Sequence, residues 1–151
     1  GMLSFVLGND GSRANCIYTP GPCGLNSGPY YITMNGPEVF KFAVNVLCLA
    51  TRQVVKAAGL DLSDIELIIP HQANTRILKS AARALGLPPE KVFINVDRYG
   101  NTSAASIPIA LCEAVEQGRL KDGDHIVLVR FGGGLSWAAM ALEWGPRRGK
   151  R

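Results

Sequence analysis

Short apolar runs, bounded by glycine, proline and polar residues, recur along the chain and predict β-strands. Four such runs lie at residues 3–7, 15–19, 66–70 and 92–96. A fifth and a sixth, at 125–131 and 135–144, flank Gly132, Gly133 and Gly134 and predict a hairpin. The run at 66–70 is apolar throughout after its first residue, which is typical of a strand that is covered on both faces of a parallel or mixed sheet.

Between these runs the apolar residues recur at helical spacing and predict three helices. The helices are expected at 36–58, at 74–85, and from an N-cap at Ser103 to Gln117. With the two runs before the first helix taken as one β segment, the order is β-α-β-α-β-α-β-β, which predicts an α/β fold in which helices pack on a mixed β-sheet. We expect residues 1–146 to form a single domain and residues 147–151 to form a basic tail.

The net charge of +4 is concentrated at one end of the chain. Four of the 16 Lys and Arg residues lie within 147–151, which leaves 12 basic residues against 12 acidic ones in the first 146. Because the body of the protein is neutral, we expect no nucleic-acid binding, and the tail is interpreted as a solvated terminus. No apolar run approaches the roughly 18 residues of a membrane span, and no secretory leader is recognisable, so no membrane association is expected.

The four cysteines, at positions 16, 23, 48 and 112, have no framework spacing and indicate a reducing compartment, with the cytoplasm as the expected location. Cys48 and Cys112 lie within predicted helices among apolar neighbours and are expected to be core thiols. A pairing of Cys16 or Cys23 with a histidine is a separate possibility. The sequence lacks the CxxC and HxxxH spacings of zinc sites, so no metal is expected.

Polar or glycine-rich segments follow three predicted strands, at His71, at Asn101 and at Gly132–Gly134. Ligands of open α/β sheets bind at this edge, outside the carboxyl ends of the strands. The imidazole, the carboxamide and the glycine amides can all donate hydrogen bonds to an oxyanion or enolate. Each segment also has an ordinary structural interpretation, as a loop histidine, a turn asparagine and a tight hairpin.

The predicted helix after His71 carries Arg76, Lys79 and Arg83, with no acidic residue between His71 and Leu87. Their spacing places the three bases on one helical face. This face is either simply solvated or a docking surface for an acidic partner.

Three motifs in the same order resemble one protein family. PHQANTRIL at 70–78, DRYGNTSAASIPIAL at 97–111 and FGGGLSWAAMAL at 131–142 are similar to the C-terminal half of β-ketoacyl-acyl-carrier-protein synthase III, a thiolase-fold condensing enzyme. MNGPEVFKFAV at 34–44 resembles the same half, and the likeness covers roughly residues 3–144. Within the family the chain looks most like cyanobacterial and plastid-type sequences, which makes the plastid stroma an alternative location.

The resemblance implies an acyltransferase reaction in the initiation of fatty-acid biosynthesis. The family uses a Cys-His-Asn triad to condense an acyl primer from acyl-CoA with malonyl-acyl carrier protein, releasing CO2. His71 and Asn101 match the His and Asn, which implies that they stabilise the enolate formed by decarboxylation. Gly133 matches the glycine whose amide joins the oxyanion hole. No cofactor is expected.

The resemblance also implies binding positions. Gly36, Ala73 and Asn74 match positions that line the pantetheine tunnel. The positions that would receive the acidic acyl carrier protein are Lys41, Arg76 and Arg83, together with Lys79 on the same helical face.

The family's nucleophilic cysteine lies in an alanine- and serine-rich motif of the N-terminal half, and this sequence lacks that motif. We therefore expect the chain to supply the His/Asn half of the active site, to be inactive alone, and to pair with a missing N-terminal half or with a second copy of itself as a homo-oligomer. A non-catalytic module that binds acyl carrier protein or pairs with a separate half is one alternative function. A polyketide-type thiolase-fold synthase is another.

Overall fold

The computed structural model describes residues 1–19 and 31–145. Its strands are β1 (Met2–Asn9), β2 (Ile17–Tyr18), β3 (Thr33–Met34), β4 (Ile65–Pro70), β5 (His125–Gly132) and β6 (Ser136–Glu143). Its helices are α1 (Gly36–Ala57), α2 (Thr75–Leu85), α3 (Val96–Tyr99) and α4 (Ser106–Glu116). Short 3-10 helices lie at Gly11–Cys16, Leu62–Asp64, Pro89–Lys91 and Ser103–Ala105.

The main sheet has the strand order β1-β6-β5-β4. β4 runs parallel to β5, whereas β6 is antiparallel to both of its neighbours, β5 and β1. β5 and β6 form the predicted hairpin, with register from His125↔Glu143 to Gly132↔Ser136. The mixed sheet predicted from the sequence is therefore confirmed. The carboxyl ends of the parallel pair lie side by side at His71 and Gly132, because Pro70 pairs with Val129.

Helices α1 and α2 pack together on one face of the sheet, and their ends follow from local sequence. The Asn35 side chain accepts a hydrogen bond from the Glu38 amide at 3.3 Å at the start of α1. The Asn74 side chain does the same for Arg76 at 2.8 Å in α2, which ends at Gly86 with a φ of 73°. The apolar face of both helices is buried against the sheet, in a core that includes Leu47, Val54, Leu78, Val127 and Leu135.

Helix α4 covers the opposite face of the sheet only in part. Ala110 and Ala114 pack on β4 and β5, where Leu67 and Ile126 are buried. Within the described residues, no helix covers the same face of β1, and the side chains of Phe5 and Leu7 are 57% and 72% exposed. One face of the edge strand is therefore an open apolar surface.

A row of aromatic contacts crosses the core from β6 to the loop after β4. The rings of Trp137 and Phe42 lie 6.0 Å apart, those of Phe42 and Phe131 6.4 Å apart, and those of Phe131 and His71 5.6 Å apart, all edge to face. A Cβ at Gly8 would lie 2.3 Å from the Trp137 ring, so only glycine leaves room for the indole against β1.

One predicted strand is shorter than expected, and another is absent. In the segment 15–19 only Ile17 and Tyr18 form a strand, because the Asp10 side chain accepts the Ser12 amide at 3.1 Å and starts a 3-10 helix. In the segment 92–96 only Val92 forms a bridge, to Ile68.

The segment 92–96 does not form a strand because a buried side chain takes the place of its strand partner. The Gln72 carboxamide oxygen accepts the Asn95 amide at 2.9 Å, in place of a strand partner. The chain then turns into α3, which ends two residues before Asn101. Ser103 is not the N-cap of the third long helix, since it begins a separate 3-10 helix with a φ of 51° and α4 starts at Ser106.

Cys112 is exposed on α4, so its assignment as a core thiol is wrong, whereas Cys48 is half-buried against the core. Cys112 lies on the side of α4 that faces away from the sheet. The helical pattern alone could not show which side of this helix is buried. Cys23 and the basic tail at 147–151 lie outside the described residues, and the single domain over 1–146 stays a prediction.

Candidate active site

A cavity of about 440 Å³ opens where β4 and β5 end, at the sheet edge that the sequence indicated. Polar, charged and apolar groups share its wall. The residues that line it are His71, Ser103, Ala104, Ser106, Ile107, Arg130, Phe131 and Gly132. His71 and the glycine loop thus meet at one cavity, as the pattern of strand ends predicts.

His71 is held on three sides. Its amide donates to the Val129 carbonyl at 2.8 Å, its Nδ1 lies 2.7 Å from Ser106 Oγ, and its ring contacts Phe131. Burial, followed by the nearby Arg130 guanidinium, lowers the pKa of His71 below its ordinary value of about 6.5. This shift favours the neutral imidazole at pH 7.

A buried polar network lies behind His71. The Gln72 carboxamide donates to the Pro70 carbonyl at 2.8 Å and to the Phe93 carbonyl at 3.0 Å. The Asn95 carboxamide donates to Glu113 Oε2 at 2.8 Å, and Arg98 forms an ion pair with the same carboxylate. This network ties the loop after β4 to α3 and α4, and so to the segment that carries Asn101.

Asn101 lies next to the cavity wall but is not part of it. Its Oδ1 accepts the amide of Ser103, which lines the cavity, at 3.0 Å. This bond fixes the orientation of the carboxamide. Its NH2 group makes no hydrogen bond to another described residue, so it remains available as a donor.

The glycine loop is fixed by two side chains. Arg130 Nη1 donates to Ser136 Oγ at 2.9 Å, and Ser136 Oγ donates to the Gly133 carbonyl at 2.9 Å. Gly133 comes directly after Gly132, which lines the cavity. A Cβ at Gly133 would lie 3.4 Å from the Ile17 carbonyl oxygen. The loop is therefore held in one conformation beside His71.

The three positions matched to the pantetheine tunnel lie outside this cavity wall. Gly36 is the first residue of α1, and a Cβ there would meet nothing within 4 Å. The Ala73 amide donates to the His71 carbonyl at 2.9 Å, and the Asn74 side chain caps α2. Ala73 and Asn74 thus continue directly from His71, and Gly36 has open space beside it.

The basic positions lie on two helices. Arg76, Lys79 and Arg83 are exposed on α2, which begins four residues after His71. Lys41 lies on α1, where it pairs with Glu38 at 3.2 Å.

Three residues near these groups have no role predicted from the sequence: Ser106, Arg130 and Arg52. Arg52 Nη2 donates to the Ala84 carbonyl of α2 at 3.2 Å. Of the three, only Arg130 is conspicuous in the sequence, because it is a charged residue within an otherwise apolar strand. Ser106 left none, because a serine in a helical first turn is ordinary.

Cys48 and Cys112 are not activated as nucleophiles. Burial raises the pKa of the Cys48 thiol, and the Glu116 carboxylate raises that of Cys112. Cys16 is partly buried against the core and makes no hydrogen bond to His71, whose Nδ1 is occupied by Ser106.

Over residues 1–19 and 31–145 there is no cluster of three His, Cys, Asp or Glu side chains that could hold a metal ion. In the same residues, no helix is both long and apolar enough to cross a bilayer.

Comparison with known proteins identifies a family for this architecture. Residues 55–144 match the family model described as the C terminal of 3-oxoacyl-[acyl-carrier-protein (ACP)] synthase III. The β-ketoacyl-[acyl-carrier-protein] synthase III of Symbiobacterium thermophilum is 56% identical over 153 residues, which cover 96% of this chain and 46% of the relative.

Two solved structures show the same arrangement. The synthase III of Thermus thermophilus superposes with a TM-score of 0.90 at 54% identity, covering 96% of this chain and 46% of that one. The priming β-ketosynthase of the R1128 polyketide pathway gives 0.85 at 33% identity, covering 95% and 45%.

These matches define the fold as thiolase-like, as the resemblance implied. The chain belongs to the family of C-terminal domains of 3-oxoacyl-[acyl-carrier-protein] synthase III. It spans about half the length of the relatives that it matches. The relatives named above give no support to a cyanobacterial or plastid subgroup.

Proposed function

We propose that this chain forms the His/Asn half of the active site of a β-ketoacyl-acyl-carrier-protein synthase III. The whole enzyme would be an acyltransferase that condenses an acyl-CoA primer with malonyl-acyl carrier protein in the initiation of fatty-acid biosynthesis. The observation that carries the proposal is that His71 lines a cavity at the strand ends beside a fixed glycine loop. The expected location is the cytoplasm, on the basis of the free cysteines.

The chemistry needs donors for two developing oxyanions. When a malonyl thioester loses CO2, the electron pair of the broken carbon–carbon bond passes to the thioester oxygen as an enolate. N–H groups of His71 and Asn101 would stabilise that oxygen. The enolate carbon would then attack the carbonyl carbon of the acyl thioester, and the amide of Gly133 would donate to the oxyanion that forms. Collapse of this oxyanion would break the acyl carbon–sulfur bond and release the thiolate. A neutral imidazole is suited to the first role because it donates without giving up its proton.

The binding positions complete the proposal. Gly36, Ala73 and Asn74 would line the path of the pantetheine arm, which is supported by the open space at Gly36 and by the direct continuation of Ala73 and Asn74 from His71. Lys41, Arg76, Lys79 and Arg83 would receive the acidic acyl carrier protein. The exposure of the three α2 bases supports this role, whereas Lys41 would have to exchange its partner Glu38.

The nucleophile would come from an N-terminal half that this chain does not include. This inference is supported by the unactivated cysteines and by the open apolar face of β1. The isolated chain would therefore not condense acetyl-CoA with malonyl-acyl carrier protein. A homo-oligomer or a separate N-terminal half would cover the open face.

A chimera tests the function directly. This chain would replace the matching part of the Symbiobacterium thermophilum relative, which is 56% identical. We expect the chimera to form the β-ketoacyl product and the isolated chain to form none. His71→Ala and Asn101→Ala should each slow decarboxylation of malonyl-acyl carrier protein by about 10²-fold or more.

His125→Ala is the matched control, because His125 lies at the start of β5, outside the cavity wall, and should leave the rate unchanged. Full activity of the His71→Ala chimera would overturn the assignment of the site. Turnover by the isolated chain would overturn the half-enzyme interpretation and direct attention to Cys16 and Cys23. An inactive chimera that still binds acyl carrier protein would favour the non-catalytic module.

Carrier docking is tested separately on the isolated chain. Arg76→Glu should weaken binding of acyl carrier protein by about fivefold, and salt should weaken wild-type binding. Lys121→Glu, in the exposed loop before β5, makes the same charge change away from α2 and should have no effect. Binding that is absent, or that is insensitive to both salt and Arg76→Glu, would overturn the docking surface.

A polyketide-type synthase is the second candidate, favoured by the similarity to the R1128 priming ketosynthase at 33% identity. The chimera distinguishes the two when it is offered malonyl groups on carrier proteins of fatty-acid and polyketide assembly. Faster condensation with the polyketide carrier would favour this second candidate.

A further inference from the structure

We infer that Ser106 is a positioning residue that fixes His71 in the tautomer with its proton on Nε2. The inference deepens the function proposed above and rests on it for its purpose. It comes from the hydrogen-bond geometry around the hydroxyl of Ser106, a residue that is 2% exposed.

The hydroxyl of Ser106 has two neighbours with different requirements. The amide of Gln72 can only donate, and it points at Ser106 Oγ from 3.2 Å. The Oγ therefore accepts from Gln72 and retains one proton to donate. The remaining neighbour is His71 Nδ1 at 2.7 Å, so the hydroxyl proton is directed at Nδ1.

This direction of donation determines the state of the imidazole. A ring nitrogen that accepts a hydrogen bond carries no proton, so the neutral His71 has its proton on Nε2. The lowered pKa of His71 keeps the ring in this neutral form at pH 7. Nε2–H makes no hydrogen bond to another described residue and is left as the donor toward the cavity.

The same hydroxyl links two parts of the site along the chain. Ser106 is the first residue of α4, five residues after Asn101, and it contacts both His71 and Gln72 in the loop after β4. A single side chain thus sets the hydrogen-bonding state of His71 and fixes the distance between its loop and the segment of Asn101. Ser106 acts only through His71 and is not assigned a contact with substrate.

The tautomer can be measured without any turnover, so failure of this inference is distinguishable from failure of the proposed function. Long-range ¹H–¹⁵N correlation spectra of the isolated chain at pH 8 report which ring nitrogen carries the proton. We expect a single Nε2–H tautomer in the wild type. Ser106→Ala should lose that uniformity, with an Nδ1–H population appearing, while Ser106→Thr keeps a hydroxyl and should restore the single tautomer.

An Nδ1–H tautomer in the wild-type spectrum would overturn the inference, whatever the variants do. A Ser106→Ala protein that keeps the single Nε2–H form would also overturn it. In the chimera, Ser106→Ala should lower the decarboxylation rate by about tenfold through kcat, with recovery in Ser106→Thr. An unchanged kcat in Ser106→Ala would show that the tautomer does not limit the reaction and would remove the positioning role.

Discussion

The carboxamide of Asn95 donates to the carboxylate of Glu113 at 2.8 Å in the interior of the protein, where Glu113 is only 8% exposed. The other carboxylate oxygen of Glu113 accepts from Gln117 at 3.0 Å and pairs with Arg98. This contact joins α3 to α4 directly behind the segment that leads to Asn101.

Glu113→Gln should therefore destabilise the fold. The substituted amide presents an NH2 group to neighbours that are themselves donors, and an unsatisfied buried group costs about 1–3 kcal/mol. Urea denaturation would measure the change. Glu116→Gln, on the exposed side of the same helix, should stay within about 0.5 kcal/mol of wild type. Equal stability of the two variants would show that the network contributes nothing.

Arg130→Gln should raise the pKa of His71. The guanidinium is the second cause of the lowered pKa, after burial, so the pKa should move toward 6.5 without reaching it. An NMR titration of the imidazole resonances would follow the shift. Arg119→Gln removes the same charge from a side chain that donates to the Glu90 carbonyl, away from the cavity, and should leave the titration of His71 unchanged.

The lowered pKa of His71 also predicts how stability depends on pH. In the unfolded chain the imidazole titrates near 6.5, above its folded pKa, so the unfolded state binds more protons below that pH. The stabilising contribution of the neutral ring is present above pH 6.5 and is lost as the pH falls toward the folded value. Between about pH 7.5 and 5.5, the Tm of wild type should fall more than that of His71→Gln. Parallel pH profiles would contradict this prediction.

Thr51→Val should maintain or raise stability. Thr51 is fully buried in α1, and its Oγ1 has no hydrogen-bond partner among the described residues. Removing an unpaired buried hydroxyl at nearly constant volume is expected to stabilise the fold by about 1 kcal/mol. Thr51→Ala removes the methyl group as well and should be less stable than Thr51→Val in the same thermal melt. A Thr51→Val protein less stable than wild type would reveal a hydrogen bond to that hydroxyl.

The open face of β1 predicts self-association of the isolated chain. Phe5 and Leu7 expose adjacent apolar surface on an edge strand, a combination that favours pairing with another molecule. Sedimentation velocity over a range of concentrations should show oligomers in wild type and a shift toward monomer in Phe5→Lys. Leu49→Lys, which changes an exposed leucine of α1, is the control and should not shift the distribution. A monomeric wild type at every concentration would contradict the expectation.

Much of the fold could be predicted because it follows from local patterns. The long helices have caps such as Asn74 and Gly86 that the sequence displays, and the apolar runs of β4 and β5 are unambiguous. The segment at 92–96 misled the prediction because its conformation is set by Gln72, which lies more than 20 residues earlier in the chain. Side-chain hydrogen bonds over such distances leave no periodic signal.

Some residues of the candidate site could likewise be predicted from the sequence, and others could not. His71 and the glycine loop could be predicted, because strand ends in a parallel pair meet at one edge. Ser106 and Arg130 could not, because their importance lies in which atoms they face after folding. The catalytic roles of His71, Asn101 and Gly133 rest on the hydrogen bonds that these groups can donate and on the resemblance to a family, and they stay predictions.

The row of rings from Trp137 through Phe42 and Phe131 ends on the His71 imidazole. We therefore expect the fluorescence of Trp137 to change when a ligand displaces Phe131, because the Phe42 ring contacts both Phe131 and the indole. The other tryptophan, Trp144, packs with the apolar cluster on the opposite face of the sheet. With Trp144 replaced by Phe, the fluorescence of one residue would report occupancy of the cavity without any label.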